Sequence, residues 1–81
     1  MGGDSVAEFR VRWDETADAA YISLVPGSVA PDVASTLEVL DREGRTIAVL
    51  DLSADGELVG LEVLGASTLL AQALRTHLRN S

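Results

Sequence analysis

Residues Thr46 to Ser67 read T-I-A-V-L-D-L-S-A-D-G-E-L-V-G-L-E-V-L-G-A-S. Asp55-Gly56 stands between two apolar, β-branched-rich runs, and Asp-Gly accepts the positive φ values of a two-residue type I′ hairpin turn. Centring the turn there pairs Ala54 with Glu57, Leu52 with Val59, Leu50 with Leu61 and Ala48 with Val63. Successive side chains of a strand point to opposite faces. One face is then Ala48, Leu50, Leu52, Val59, Leu61 and Val63, wholly apolar, and this face is the expected core. The other is Ile47, Val49, Asp51, Ser53, Leu58, Gly60, Glu62 and Leu64, a mixed set. A slip of one residue would scatter the apolar set over both faces, so the register is well specified.

Two further hairpin signals lie upstream. Val33 to Asp41 alternates, and a turn around Glu43-Gly44 sets Val39 opposite Ala48 and Leu37 opposite Leu50, extending the same core face. Thr36, Glu38 and Leu40 then fall on the mixed face. Earlier still, Glu8 to Trp13 sets Phe9, Val11 and Trp13 against Arg10 and Arg12, while Ala20 to Val25 sets Ile22 and Leu24 against Tyr21 and Ser23. Between them Asp14 and Asp18 suit Asx-type turn bonds. Pro26 to Asp32 reads as a loop between hairpins. After Gly65 the period changes. Ser67 suits an N-cap, and Leu69, Leu70, Ala73, Leu74, His77 and Leu78 form one helical stripe. The fold expected is α+β, an antiparallel meander of four to five strands (8–64) with one C-terminal helix (67–79) packed on one face. Residues 1–81 form a single domain, with 1–7 a loose N-terminus.

Composition narrows the function classes. At 81 residues the chain carries one small core, aliphatic because aromatic content is only 4%. A net charge of −7, from 13 acidic residues against 6 basic ones, disfavours nucleic acid, whose affinity comes mostly from neutralised phosphates. It disfavours anionic membrane surfaces equally. The absence of Cys removes disulfides and thiolate chemistry and suits a reducing cytoplasm. No apolar run approaches the ~18 residues that a membrane span requires.

The runs W-D-E-T-A-D-A-A-Y-I-S-L (Trp13 to Leu24), S-T-L-E-V-L-D (Ser35 to Asp41) and V-L-D-L-S-A-D-G-E-L-V-G-L-E-V-L-G-A-S (Val49 to Ser67) resemble the small bacterial proteins grouped as domain of unknown function 2283. The likeness spans roughly Phe9 to Ser67. It is sharpest at Asp-x-x-Ala-Asp-Ala-x-Tyr (Asp14 to Tyr21) and Asp-x-x-x-Asp-Gly-x-Leu-Val-Gly-x-Glu (Asp51 to Glu62). It implies no activity, cofactor or catalytic residue, and only an antitoxin-like partner role suspected for some members.

Three readings of the residues compete. Asp51, Ser53, Asp55, Gly56 and Glu62 fit the spacing of an EF-hand calcium loop, but the flanks alternate like strands where two helices are required. No metal and no cofactor is therefore expected. Arg10, Arg12 and Tyr21 share the mixed face with Glu38, Asp51 and Glu62, a set that could do acid–base work in a cleft and defines the alternative of a small enzyme or ligand-binding protein. The same face also carries Ile47, Val49, Leu58 and Leu64, more apolar surface than a small domain leaves uncovered. The leading expectation is thus a non-catalytic interaction module that forms a homodimer through this face and can bind another protein. His77 and Trp13 are read as structural.

Overall fold

The computed structural model describes residues 3–26 and 31–80. Met1 and Gly2 of the expected loose terminus, and residues 27–30 of the expected loop, lie outside the described residues. The elements are β1 (Val11–Asp14), β2 (Ala19–Ser23), β3 (Ser35–Leu40), β4 (Thr46–Leu52), β5 (Leu58–Leu64), α1 (Ala66–Leu69) and α2 (Gln72–Arg79). The strands form one antiparallel sheet in the order β1-β2-β5-β4-β3, and the class is α+β. The link from β2 carries the chain to the far edge of the sheet, so that β5 returns to pair with β2.

Alternation does what the sequence promised. Leu37 faces Leu50, Val39 faces Ala48, Leu50 faces Leu61 and Ala48 faces Val63. With β1 and β2 added, two apolar rows cross all five strands: Val11, Ile22, Leu61, Leu50, Leu37, and Trp13, Ala20, Val63, Ala48, Val39. The opposite face carries the row Arg12, Tyr21, Glu62, Val49, Glu38.

The turns differ from the expectation. In both β3-β4 and β4-β5 hairpins the loop has three residues. Ser53 N–H donates to Glu57 O (2.8 Å) and Gly56 N–H to Ser53 O (2.9 Å); Asp41 and Arg45, Gly44 and Asp41 repeat this at 2.9 and 3.1 Å. Only the glycines, Gly56 at φ 79° and Gly44 at φ 83°, enter the left-handed region there. This is a type I turn closed by a glycine bulge. It spares Asp55 the positive φ that a type I′ turn would impose, and residues with a Cβ resist that conformation. A second irregularity between Asp51 and Leu52 sets Leu52 opposite Leu58 instead of Val59.

The C-terminal helix is also corrected. It is broken at Leu70–Ala71, both extended, and Gly65 at φ 71° takes the N-cap position assigned to Ser67. Only Leu70, Leu74 and Leu78 of the stripe pack inward, against Ala20, Ala66, Trp13 and Val63. Leu69, Ala73 and His77 are exposed, and so is Phe9, which precedes β1 rather than joining it. The helices therefore cover one corner of the apolar face, at β1, β2 and β5. The rest of that face stays open. All six residues of β3 are exposed, Leu37 at 55%.

Candidate functional site

The mixed face centres on Tyr21. Its strand partner is Glu62, and its ring leans diagonally across Gly60 to β4, where the hydroxyl donates to Asp51 Oδ2 at 3.1 Å. Gly60 makes this possible. A Cβ there would stand 2.7 Å from Tyr21 Cζ and closer still to the hydroxyl, so only a residue without a side chain leaves room for the ring. Glycine inside a strand marks such close approaches. Burial, first, and then the hydrogen bond to Asp51 and the charges of Asp51 and Glu62, hold the Tyr21 phenol above its ordinary value of 10.0. The shift moves the phenol further from neutrality, where general acid–base groups work best.

Several of the other polar residues are bonded within the fold. Glu38 Oε1 accepts from Thr46 Oγ1 at 2.9 Å. Asp14 Oδ1 accepts from Thr16 N–H (3.0 Å) and Ala17 N–H (3.2 Å), forming the expected Asx turn. Asp18 adopts φ 52° and turns its carboxylate to the start of α1, accepting from Ser67 N–H (2.8 Å) and Ser67 Oγ (2.6 Å), with Trp13 Nε1 at 3.4 Å. Its own carbonyl accepts from Ala66 N–H at 2.9 Å. Those bonds, led by the Ser67 hydroxyl, hold the Asp18 carboxyl below its ordinary value of 3.8.

Of the residues singled out from the sequence, Tyr21, Asp51 and Glu62 come together around Gly60. Arg12 sits at the β1 end of the same row, and Glu38 at the β3 end. Arg10, Arg12, Asp14, Tyr21 and Glu62 do not form a charge network. Among the described residues the ion pairs are Arg45 with Asp41 and Glu43, and Arg79 with Glu15. Arg12, Asp14, Tyr21 and Glu62 do border an open depression of about 430 Å³. Ile47, Val49 and Leu64 are half-buried; Leu58 is 47% exposed and lies opposite Leu52. The spacing that mimics an EF-hand is spent on the hairpin, with Asp51 bonded to Tyr21 and Ser53 closing the turn. Among the described residues no group of three His, Cys, Asp or Glu side chains converges as a metal site would. No described helix is long and apolar enough to cross a membrane.

The Asp18 clip to Ser67 was invisible to sequence reading, because 49 residues separate the partners. Gly60 did carry a signal, as a lone glycine in a strand of aliphatic residues.

These features define a small α+β domain in which one half-covered sheet carries an aliphatic face and a hydrogen-bonded polar face. The chain belongs to the family described as protein of unknown function DUF2283, which it matches over residues 10–67. Neither the curated proteins nor the solved structures give a match. The motif residues that carry the likeness now have physical work: Asp14 and Asp18 shape the first turn and dock α1, Tyr21, Asp51 and Gly60 form the polar-face lock, and Gly56 turns the last hairpin.

Proposed function

We propose that this protein is a non-catalytic interaction module that self-associates through the β3 side of its apolar face. The observation that carries the reading is the pair of apolar rows running out, uncovered by any described residue, onto an edge strand exposed along its whole length. Magnitudes support it. A compact monomer of 8.5 kDa exposes about 4,700 Å², whereas this chain exposes 6097 Å². Part of the excess of roughly 1,400 Å² lies in the exposed segment before β1 (residues 3–10), and the open half of the sheet face contributes to the rest. Its radius of gyration is 14.0 Å, against about 12 Å for a compact chain of this length.

Charge favours a second copy on this face over the mixed one. The two apolar rows contain no ionised side chain, so two copies can meet there without opposing their net charges of −7. Meeting through the mixed face would bring Glu38, Asp51 and Glu62 against the same residues of the other copy, and like charges in contact are destabilising. We therefore place the contact on the face opposite the one the sequence suggested, because the broken helix leaves the apolar side open. The enzymatic alternative gains no support from side chains already bonded to one another or from a phenol displaced away from neutral pH.

Light scattering at micromolar concentration is expected to give a mass at least twice 8.5 kDa. Leu37→Glu should return the monomer mass, and Ile47→Glu, on the other face, should not. A wild-type mass that stays monomeric up to millimolar concentration would overturn the reading.

A further inference from the structure

We infer that the partner's position is set by strand pairing: the β3 edges of two copies join antiparallel about a two-fold axis at Leu37, making one continuous sheet. This rests on the self-association reading and adds its geometry.

The two edges of the sheet are unequal. Edge strands are normally guarded by charge, proline or a covering element. At β1 the guards are present: Arg10 and Arg12 flank Val11, the Arg79 guanidinium lies 4.9 Å from the Trp13 ring centre, and Arg79 Nε reaches Glu15 at 3.2 Å. Within β3 there is no Pro, Lys or Arg, Glu38 is its only charge, and among the described residues no element covers it. Backbone groups alternate along an antiparallel strand. Counting from the Asp41 and Arg45 bond, the N–H and C=O groups of Thr36, Glu38 and Leu40 turn away from β4 toward the open edge.

A two-fold axis pairs β3 with itself, and keeping the apolar face on one side limits the registers. An axis at Glu38 sets two carboxylates directly opposite, which is destabilising. An axis at Thr36 slides Leu40 out against Asp32 and shortens the overlap. An axis at Leu37 pairs Ser35 to Val39 with one another and sets Leu40 opposite Ala34. It joins the outward groups of Thr36 to those of the second copy's Glu38, with a hydroxyl beside each carboxylate. It also makes Leu37 meet Leu37 in a non-hydrogen-bonded pair, so the apolar row from Val11 to Leu37 continues into the second copy. The helices sit at the far corners of the joined sheet, so the two open halves of the apolar face lie side by side at its centre as one patch that the strand pairing extends without covering.

The chain has no cysteine, so single substitutions read the register directly. Non-hydrogen-bonded antiparallel partners lie about 4.5 Å apart at Cα, within disulfide reach. Under mild air oxidation Leu37→Cys should give a disulfide-linked dimer as the main band on a non-reducing gel. Val39→Cys, whose partner in this register is Ser35, should give at least tenfold less. Thr36→Pro removes an outward N–H and no bond to β4, so its circular dichroism should match wild type while its mass falls to the monomer's. Oligomers that persist in Thr36→Pro, with Leu37→Cys crosslinking no faster than Val39→Cys, would overturn the edge pairing and leave self-association standing. A monomeric wild type would remove both.

Discussion

Tyr21 and Gly60 are one device made of two residues. The ring is held over the glycine by its bond to Asp51, and the glycine is buried because the ring is there. In most strands Gly→Ala is neutral or favourable, since Gly gives up more freedom on folding and packs less. Here Gly60→Ala should cost about 1–2 kcal/mol, the scale of a displaced ring and a lost half-buried hydrogen bond. In a Tyr21→Ala background the same change should cost nothing. Urea titrations of the four proteins in a double-mutant cycle measure this; equal costs in both backgrounds would separate the pair. The glycine was legible as an oddity in a strand, but its partner was not. Tyr21 reaches Asp51 only because β5 lies between β2 and β4, and no local pattern dictates that.

The elements show which local rules won. Polarity alternation placed the central pairs of the last two hairpins correctly, since a slip of one residue would split the apolar set between the two faces. Turn geometry followed a different preference, with one glycine per loop taking the strained conformation and the Asp remaining ordinary. The helix yielded to tertiary contacts. Periodicity alone joins Thr68 to Arg79, yet α1 is fastened by Asp18 and the chain kinks at Leu70–Ala71 so that Leu70, Leu74 and Leu78 reach Trp13, Ala20 and Val63. The Asp18 carboxyl is held below 3.8 by Ser67, so the folded state favours its anion and the unfolded chain takes up the proton first. Its contribution is complete above the ordinary carboxylate value and is lost as pH falls through the lowered one. Asp18→Asn should therefore melt below wild type near neutrality, and the gap should close below about pH 4. Trp13 fluorescence, reporting beside the clip, follows it; a gap independent of pH would mean the charge is idle.

At the scale of the whole molecule the deciding quantity is uncovered surface. Among the described residues the buried apolar side chains are Ala20, Ala66 and Leu70, too few to hold a five-stranded sheet comfortably on their own. Stability should then depend on assembly. Binding to the folded state alone raises the melting temperature with concentration. For a domain of this size a hundredfold increase should raise it by roughly 5–10 °C in a dimerising chain. Scanning calorimetry over that range should show the rise in wild type and a flat response in Leu37→Glu; a flat wild type would mean the sheet stands alone.

The sequence by itself determined the alternating strands, the central register of the last two hairpins, the apolar and polar faces, and membership of a family through short motifs. These are local consequences of side-chain alternation and glycine placement, and they need no knowledge of the rest of the chain. Only the tertiary structure decided that β5 pairs with β2, that Asp18 docks the helix, and that the helix stops at one corner. Each of these depends on contacts between distant segments, whose worth is set by how much surface they bury together, and that sum exists only once the whole sheet has formed.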